Sequence, residues 1–276
     1  LQKLSVIVDG RPVREFDIEL APGEPDFWVF LDVTAFLGEH ATLQVLSLSR
    51  ESQGLASITQ DDEPRTPDLY TEALRPQFHF TSRRGWSNDP NGLVYHDGEY
   101  HLYYQHNPYG VGWGNMHWGH AVSRDLVHWQ EQPIALYPVA YGDWCFSGSA
   151  VVDNSNTAGF KTGNEDVIVA AFTSTGRGEA VAYSNDRGRT FTDYPGNPVV
   201  RHSGRDPKVI WSAPGKHWVM AVYDEEPREG QEPGRFIAFY TSPDLKTWEL
   251  QSRIEGYYEC PEIFELPVEG DGRNTR

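Results

Sequence analysis

The sequence predicts an all-β chain in which a small N-terminal β-sandwich-like module precedes an incomplete β-propeller. Two observations carry this prediction. The 276 residues include 26 glycines, 19 prolines and 13% aromatic residues, a composition that favours short strands joined by tight turns. A Ser-x-Asp turn followed by an aromatic residue also recurs three times at near-constant spacing, which indicates stacked copies of one sheet unit.

The N-terminal residues 1–60 alternate apolar and polar side chains in several short runs. The first run, with Leu4, Val6 and Val8, leads into Asp9-Gly10, a strong hairpin signal. Further strand-like runs lie at 16–20, 27–31 and 43–48, and about four strands in this space predict a small sandwich. Residues 61–76 are polar and lack periodicity, so we predict a linker there.

Residues 77–276 contain the repeat, whose Ser-x-Asp turns start at Ser123, Ser184 and Ser242. The first two starts are 61 residues apart and the next two are 58 apart, and an apolar run precedes each turn. Four short strands fit this period, which is the size of a propeller blade. A two-sheet sandwich with similar hairpins is the alternative. About three blades fit, whereas propellers close with ~4–8, so we expect the chain to be part of a longer protein.

Charge and cysteine content narrow the classes of function. A net charge of −17 argues against nucleic-acid binding, and no run approaches the ~20 apolar residues of a membrane span. The two cysteines, Cys145 and Cys260, form neither a disulfide framework nor a zinc motif, and we expect free thiols. His117 and His120 are predicted to be packing residues. No metal and no cofactor is expected.

Three carboxylates are placed to do chemistry. Asp89 follows Asn88 in Trp86-Ser-Asn-Asp-Pro-Asn-Gly92, whose turn chemistry predicts a rigid turn, while Asp206 and Glu259 precede Pro and Cys-Pro. Each acid stands before an apolar run that we predict to be the first strand of a blade, one acid per period. Acids converging on a propeller axis suit glycoside hydrolysis. The alternative is that acidic residues before proline only form turns.

The sequence contains the motifs WSNDPNG, YYQHNPYGVGWGNMHWGHAVS, FSGS at 146–149, RDP at 205–207 and EC at 259–260. Together these motifs resemble glycoside hydrolase family 32, the invertase, inulinase and levanase family. The similarity covers about residues 76–266 and implies a five-bladed propeller with a C-terminal β-sandwich. It also implies a β-fructofuranoside substrate such as levan, inulin or sucrose.

The resemblance implies roles for individual residues. Asp89 matches the nucleophile, Glu259 the acid/base and Asp206 the transition-state stabiliser of the family. We expect partial burial and neighbouring anions to raise the pKa of Glu259. One departure is Ser87, where the family has a bulky apolar residue. The resemblance also implies a fructose pocket lined by Asn88, Gln105, Trp113, Phe146, Ser147 and Arg205.

Two alternatives to hydrolysis follow from the same resemblance. A fructosyltransferase differs only in whether sugar or water attacks the intermediate, and a non-catalytic propeller would bind fructan without turnover. The first residues lack a signal peptide's apolar centre, and we expect a secreted or periplasmic protein whose signal segment is not among these residues. The N-terminal module resembles, more weakly, the extension of bacterial levanase-type members.

Overall fold

The structure, a computed structural model, describes residues 1–62, 69–267 and 274–275. Regular structure in these residues is almost entirely β-strand, with two short 3-10 helices at Thr34–Phe36 and Gly54–Ser57. Within the same residues, no helix has the length and apolar character needed to cross a membrane. The all-β prediction is confirmed.

The N-terminal strands form one antiparallel sheet in the order β2–β1–β3. Asp9 and Gly10 both adopt positive φ, as a two-residue hairpin turn requires. Residues 27–31 do not form the predicted fourth strand, so the described N-terminal strands make a single sheet and not two facing ones. The strands are β1 (Gln2–Val8), β2 (Arg11–Ile18) and β3 (Ala41–Leu46).

The rest of the chain supplies the apolar layer that a second N-terminal sheet would have provided. Phe16 of β2 stacks on Tyr109 with ring centroids 3.7 Å apart, and both side chains are buried. Asp17 donates its backbone N–H to Asn115 Oδ1 (2.9 Å), and Asn115 Nδ2 donates to the Asp17 carbonyl (2.8 Å). Because the N-terminal sheet buries its apolar face against the loop that carries Tyr109 and Asn115, it needs no second sheet.

The predicted linker is only partly described, since residues 63–68 lie outside the described residues. From residue 69 onward the segment is bound to the first propeller blade. The Tyr70 hydroxyl donates to Glu131 (2.7 Å), and Arg75 donates to the Ser82 carbonyl (2.7 Å).

Three four-stranded antiparallel sheets follow, each built from consecutive strands as a propeller blade requires. Their first strands lie side by side, with β8 between β4 and β12. The described residues thus contain three blade-like sheets, the number for which the repeat leaves room. Their strands are β4 (Trp86–His96), β5 (Glu99–Asn107), β6 (His117–Ser123) and β7 (Trp129–Leu136); β8 (Cys145–Asp153), β9 (Val167–Ser174), β10 (Gly178–Ser184) and β11 (Thr192–Asp193); and β12 (Arg205–Ser212), β13 (His217–Glu226), β14 (Gly234–Ser242) and β15 (Glu249–Glu255).

The Ser-x-Asp repeat is the turn between the third and fourth strand of each blade. In the second blade the Ser184 hydroxyl donates to Asp186 Oδ1 (2.7 Å), which accepts the backbone N–H of Thr190 (2.9 Å). The residue after the aspartate has a left-handed φ in all three copies, at Leu126, Arg187 and Leu245. A short acidic side chain that bonds its own backbone stabilises such a turn, which explains why the motif recurs.

Beyond the third blade the chain forms only a short two-stranded pair, β16 (Leu266–Pro267) with β17 (Asn274–Thr275). The run at 263–264, predicted as the first strand of another blade, is not a strand. The described residues contain no neighbouring strand with which it could form a sheet.

The inner strand β8 approaches β9 so closely at Gly148 that no side chain fits. A Cβ there would lie 2.0 Å from the Ala171 carbonyl oxygen and 2.8 Å from Phe172 Cα, both backbone atoms. We expect Gly148→Ala to lower the free energy of unfolding by about 1–3 kcal/mol or more, measured by denaturant titration. Gly163→Ala, at a site with no atom within 4 Å, is the control and should cost less than about 0.5 kcal/mol. Equal costs in the two variants would contradict this packing.

Candidate active site

Each of the three inner strands carries a β-bulge near its beginning. The bulges occupy residues 88–89 in β4, 146–147 in β8 and 206–207 in β12, and each inserts one extra residue relative to the partner strand. A bulge bends its strand and redirects the side chains it carries. Since the three strands are neighbours, the three bulges meet at one end of the blades.

The segment around Asp89 is a bulged strand, and the prediction of a rigid turn there was wrong. Residues 86–96 all belong to β4, and Pro90 pairs with Tyr104 of β5. Proline is tolerated because β4 is the first strand of its sheet and needs no N–H on its outer side. A second bulge follows between Asn91 and Val94, where Gly92 has a φ of 52°.

Asp89 and Asp206 come together around two small side chains. The Ser147 hydroxyl donates to Asp89 Oδ2 at 2.7 Å. The Cys260 Sγ lies 3.9 Å from Asp89 Oδ2 and 3.5 Å from Asp206 Oδ2, and the Cys260 backbone N–H donates to Asp206 Oδ2 (3.2 Å). The structure thus gathers residues from the first blade, the second, the third and the segment after it.

Glu259 is held at the edge of this group by Arg205. The guanidinium donates through Nε (2.8 Å) and Nη2 (2.6 Å) to Glu259 Oε2, and Nη2 also donates to the Tyr258 hydroxyl (2.9 Å). The Glu259 side chain is 43% exposed and thus only partly buried. The reason is that residues 256–265 form no strand and no further blade covers them within the described chain.

Asp206 is the buried carboxylate of the group, with only 6% of its side chain exposed. Burial raises its pKa to about 6, and the charge of Glu259 adds to the rise, while Arg205 and the hydrogen bonds from Cys260 oppose it. Its backbone has a φ of 69° and that of Cys260 a φ of 54°, both in the left-handed region. Such conformations cost energy and persist only where neighbours hold them.

The prediction of one acid per repeat was wrong for the second blade. At the bulge of β8 the side chains are Phe146 and Ser147, and the polar group is the hydroxyl that binds Asp89. The acids come from β4, from β12 and from the segment after the third blade. The physical reason is that the second blade supports a neighbour's carboxylate instead of adding another negative charge.

Of the remaining predicted residues, Asn88 contacts Asp89, whereas Gln105 is bonded to the backbone of the neighbouring blade. Asn88 Nδ2 is 3.3 Å from Asp89 Oδ1, and its Oδ1 accepts from Trp86 Nε1 (2.9 Å). Gln105 is buried in β5, and its amide donates to the Cys145 carbonyl at 2.9 Å. Gln105 therefore contacts the backbone of β8.

Aromatic rings form one wall next to the β8 bulge. Trp113 is 58% exposed and meets Trp144 edge-on with centroids 4.9 Å apart, and Phe146 lies 6.0 Å from Trp113. Trp144 was not predicted, although it stands two residues before Phe146 in the sequence. Tyr258, which binds Arg205, was also missed despite lying directly before Glu259.

The histidines and cysteines singled out in the sequence take different positions. His117 and His120 are both buried in β6, where His120 stacks on Tyr103 and bonds His101. Burial lowers the pKa of both histidines. Cys145 and Cys260 are free thiols; the first is buried and the second is exposed among the acids.

Fold and site together define a propeller with a carboxylate cluster at the ends of its inner strands. The model of the family "Glycosyl hydrolases family 32 N-terminal domain" matches residues 79–276. The chain therefore belongs to this family.

Comparison with individual proteins agrees with the family. The chain is 50% identical to levanase of Bacillus subtilis over 216 residues, covering 73% of this chain and 30% of the relative. It is 38% identical to an extracellular exo-inulinase of Aspergillus niger over 244 residues, covering 75% and 44%. The β-fructofuranosidase of Schwanniomyces occidentalis, solved with fructosyl-erythritol, matches with a TM-score of 0.64 and 39% identity, covering 72% and 41%. The chain thus spans less than half the length of these relatives.

The buried position of Asp206 predicts a pH-dependent stability. Its folded pKa of about 6 exceeds the ordinary value of 3.8, so its contribution is fully present below pH 3.8 and is lost as pH rises through 6. The loss amounts to about 3 kcal/mol. Asp206→Asn resembles the protonated form, and asparagine tolerates the left-handed backbone. We therefore expect its free energy of unfolding, relative to wild type, to rise by up to about 3 kcal/mol between about pH 4 and pH 7.5.

Denaturant titrations at several pH values measure this difference. Asp26→Asn, which changes an exposed aspartate, is the control and should show a difference from wild type that is independent of pH. A pH-independent difference for Asp206→Asn as well would contradict the raised pKa.

Proposed function

We propose that the protein containing this chain is a retaining glycoside hydrolase that releases fructose from β-fructofuranosides by double displacement. One observation carries the proposal: Asp89 and Asp206 share contacts with Cys260, the residue after Glu259. Three carboxylates from distant parts of the sequence therefore face one small region. Family membership supports a glycosidase, and the fructosyl-erythritol complex of a relative supports a fructoside.

In the first step, Asp89 attacks the anomeric carbon of the fructosyl unit. Its Oδ2 is held by the Ser147 hydroxyl at 2.7 Å, which fixes the carboxylate for in-line attack. The bond from the anomeric carbon to the leaving oxygen breaks as the bond to Asp89 forms. Glu259 gives its proton to the leaving oxygen, so that an alcohol departs and not an alkoxide.

In the second step, Glu259 acts as a base on a water molecule. The water loses its proton to Glu259 while its oxygen bonds to the anomeric carbon, and the ester bond to Asp89 breaks. Fructose leaves, and both carboxyl groups return to their starting forms. A sugar hydroxyl in place of water would make the protein a fructosyltransferase.

We assign binding of the fructose hydroxyls to Asp206 and Arg205. Asp206 accepts from the Cys260 backbone N–H and Arg205 pairs with Glu259, and a buried carboxylate forms stronger hydrogen bonds than an exposed one. Trp113, Phe146 and Ser147 border the same region from β8 and the loop before β6. The pocket is proposed to take levan, inulin or sucrose, and product analysis on these three sugars with the full-length protein will identify the preferred one.

The wider organisation is also part of the proposal. Residues 1–60 would be an N-terminal module, 61–76 a linker and 77–276 the first blades of a five-bladed catalytic propeller. The name of the extracellular exo-inulinase supports secretion for this protein as well.

The retaining mechanism predicts a distance. The carboxyl groups of Asp89 and Glu259 should lie about 5–5.5 Å apart. In a retaining enzyme the nucleophile attacks the anomeric carbon directly, so no room for a water molecule is needed between the carboxylate and the sugar. A crystal structure of the full-length protein measures it. A separation above about 6.5 Å would indicate an inverting mechanism and remove Asp89 as nucleophile.

The leaving group tests the role of Glu259. Glu259→Ala should reduce hydrolysis of sucrose by roughly 10²–10⁴-fold, since its alkoxide leaving group needs a proton. A fructoside with an acidic phenol leaving group needs no such help, so its first step should be much less affected. The fructosyl-enzyme should then accumulate, and azide, which needs no base, should restore turnover. Steady-state and burst kinetics with both substrates measure these effects.

Two variants serve as controls for this test. Glu262→Ala changes an exposed acid three residues away that pairs with Lys208, and it should behave as wild type. Asp89→Ala should be inactive on both substrates and show no azide rescue. Equal losses on the two substrates in Glu259→Ala, without rescue, would refute the acid/base role.

A further inference from the structure

A buried charged cluster that the proposed mechanism does not use lies behind Asp206. His202 follows the second blade, and its side chain is 4% exposed. Its Nε2 is 2.8 Å from Glu179 Oε1, and its Nδ1 is 3.2 Å from Asp224 Oδ1. Both acids are almost fully buried, Glu179 in β10 and Asp224 in β13. We call these residues, with Arg253, the His202 cluster.

The contacts of His202 determine its protonation state. A neutral imidazole has one N–H donor and one lone pair, so it can donate to only one of two carboxylates. The imidazolium donates to both. Burial by itself lowers the pKa of His202, but the hydrogen bond and charge of Glu179 and the charge of Asp224 outweigh it and raise the pKa above its ordinary value.

Burial raises the pKa of Glu179, and the hydrogen bond and charge of His202 oppose that rise. With Glu179 and Asp224 ionised, the cluster is electrically balanced only while His202 is charged. Arg253 of β15 places Nη2 2.7 Å from Asp224 Oδ2, so two cations face two anions. Tyr240 of β14 faces the same acids, and burial and the charge of Asp224 raise its pKa, so it stays neutral. Glu226 is 3.9 Å from Arg253 and largely exposed. Loss of the His202 proton would leave Glu179 buried without a cation, which is strongly unfavourable.

A hydrogen-bond relay joins the cluster to the active-site backbone. The Thr173 hydroxyl lies 3.0 Å and 3.2 Å from the two oxygens of Glu179 and accepts the Asp206 backbone N–H at 2.9 Å. Because its single proton points to Glu179, its lone pair is free to hold Asp206. The Glu179 backbone N–H also donates to the Val200 carbonyl (3.0 Å), so the segment leading to Asp206 is fixed at both ends.

We propose that His202 is a positioning residue that, as an imidazolium between Glu179 and Asp224, keeps Asp206 in its left-handed backbone conformation for binding of a fructoside. The proposal rests on the proposed function. When His202 loses its proton, the ring can donate to only one of the two carboxylates, and the cation that balances Glu179 is lost. The relay through Thr173 then loosens, and the fructoside is bound less well on the alkaline side.

Glu179→Gln removes the negative charge of residue 179 and keeps the size of its side chain. The new amide keeps an oxygen for Thr173 and turns its NH₂ to His202 Nε2, so the ring becomes neutral with its proton on Nδ1. In the full-length protein labelled with ¹⁵N-histidine, we expect both ring nitrogens of His202 to be protonated near neutral pH. Glu179→Gln should leave Nε2 unprotonated.

The pH profile of kcat/KM on sucrose gives the functional readout. The alkaline limb of wild type should contain the titration of His202, whereas that of Glu179→Gln should lack it. Between about pH 6 and pH 9 the ratio of the variant's kcat/KM to that of wild type should rise, by up to about 10²-fold and mainly through KM. Thr173→Val breaks the relay, so in a Thr173→Val background the pH profiles with Glu179 and with Glu179→Gln should be the same. His217→Gln, a histidine whose Nδ1 faces the Gly215 carbonyl, is the control and should keep the wild-type profile.

The outcomes are distinct. A neutral His202 ring in wild type at about pH 6, or the same alkaline limb in wild type and Glu179→Gln, would overturn the proposal while leaving the proposed function intact. A wild-type protein that hydrolyses no fructoside would refute the proposed function. In that case the ¹⁵N titration, read together with the Asp206 amide shift in wild type and Glu179→Gln, still decides whether His202 positions Asp206.

Discussion

The one-residue bulges at the start of β4, β8 and β12 determine where the polar side chains of the site can lie. A regular strand sends successive side chains to opposite faces, so a carboxylate at its end would point to either neighbouring blade. The inserted residue breaks this alternation at the same register in three adjacent strands. Asp89 and Ser147 can therefore form a hydrogen bond between blades.

Bringing acids together in a protein with a net charge of −17 requires local compensation. Arg205 lies between Asp206 and Glu259 and is itself packed over the rings of Tyr223 and Tyr258. Asp89 has a different arrangement, with a hydroxyl and a thiol as neighbours and no cation in direct contact among the described residues. Asp89 and Asp206, which both contact Cys260, thus have different surroundings, and different surroundings allow two acids to take different chemical roles.

The sequence predicted best what depends on local chemistry. The Ser-x-Asp turns could be recognised because serine and aspartate bond within four residues, and that repeat gave the blades. The strand around Asp89 was misread as a turn because Asn, Pro and Gly have turn preferences that an edge strand with two bulges also accommodates. The exposure of Glu259 depends on what covers it, which no local pattern records. The His202 cluster joins residues 22 and 23 positions apart through tertiary packing, so no spacing rule could have revealed it.

The contact between Asp17 and Asn115 affects the loop that carries Trp113. Asn115 also donates to Asn107 Oδ1 (3.2 Å), and Asn107 donates to the Gly112 carbonyl (2.9 Å), so both ends of the loop are tied down. A large aromatic side chain on a free loop loses conformational entropy when it contacts a ligand. Here the loop that carries Trp113 is ordered when the protein folds, because Asp17 of the N-terminal sheet binds Asn115. A sheet that contributes no side chain to the carboxylate cluster thus limits the freedom of Trp113 before any ligand is present.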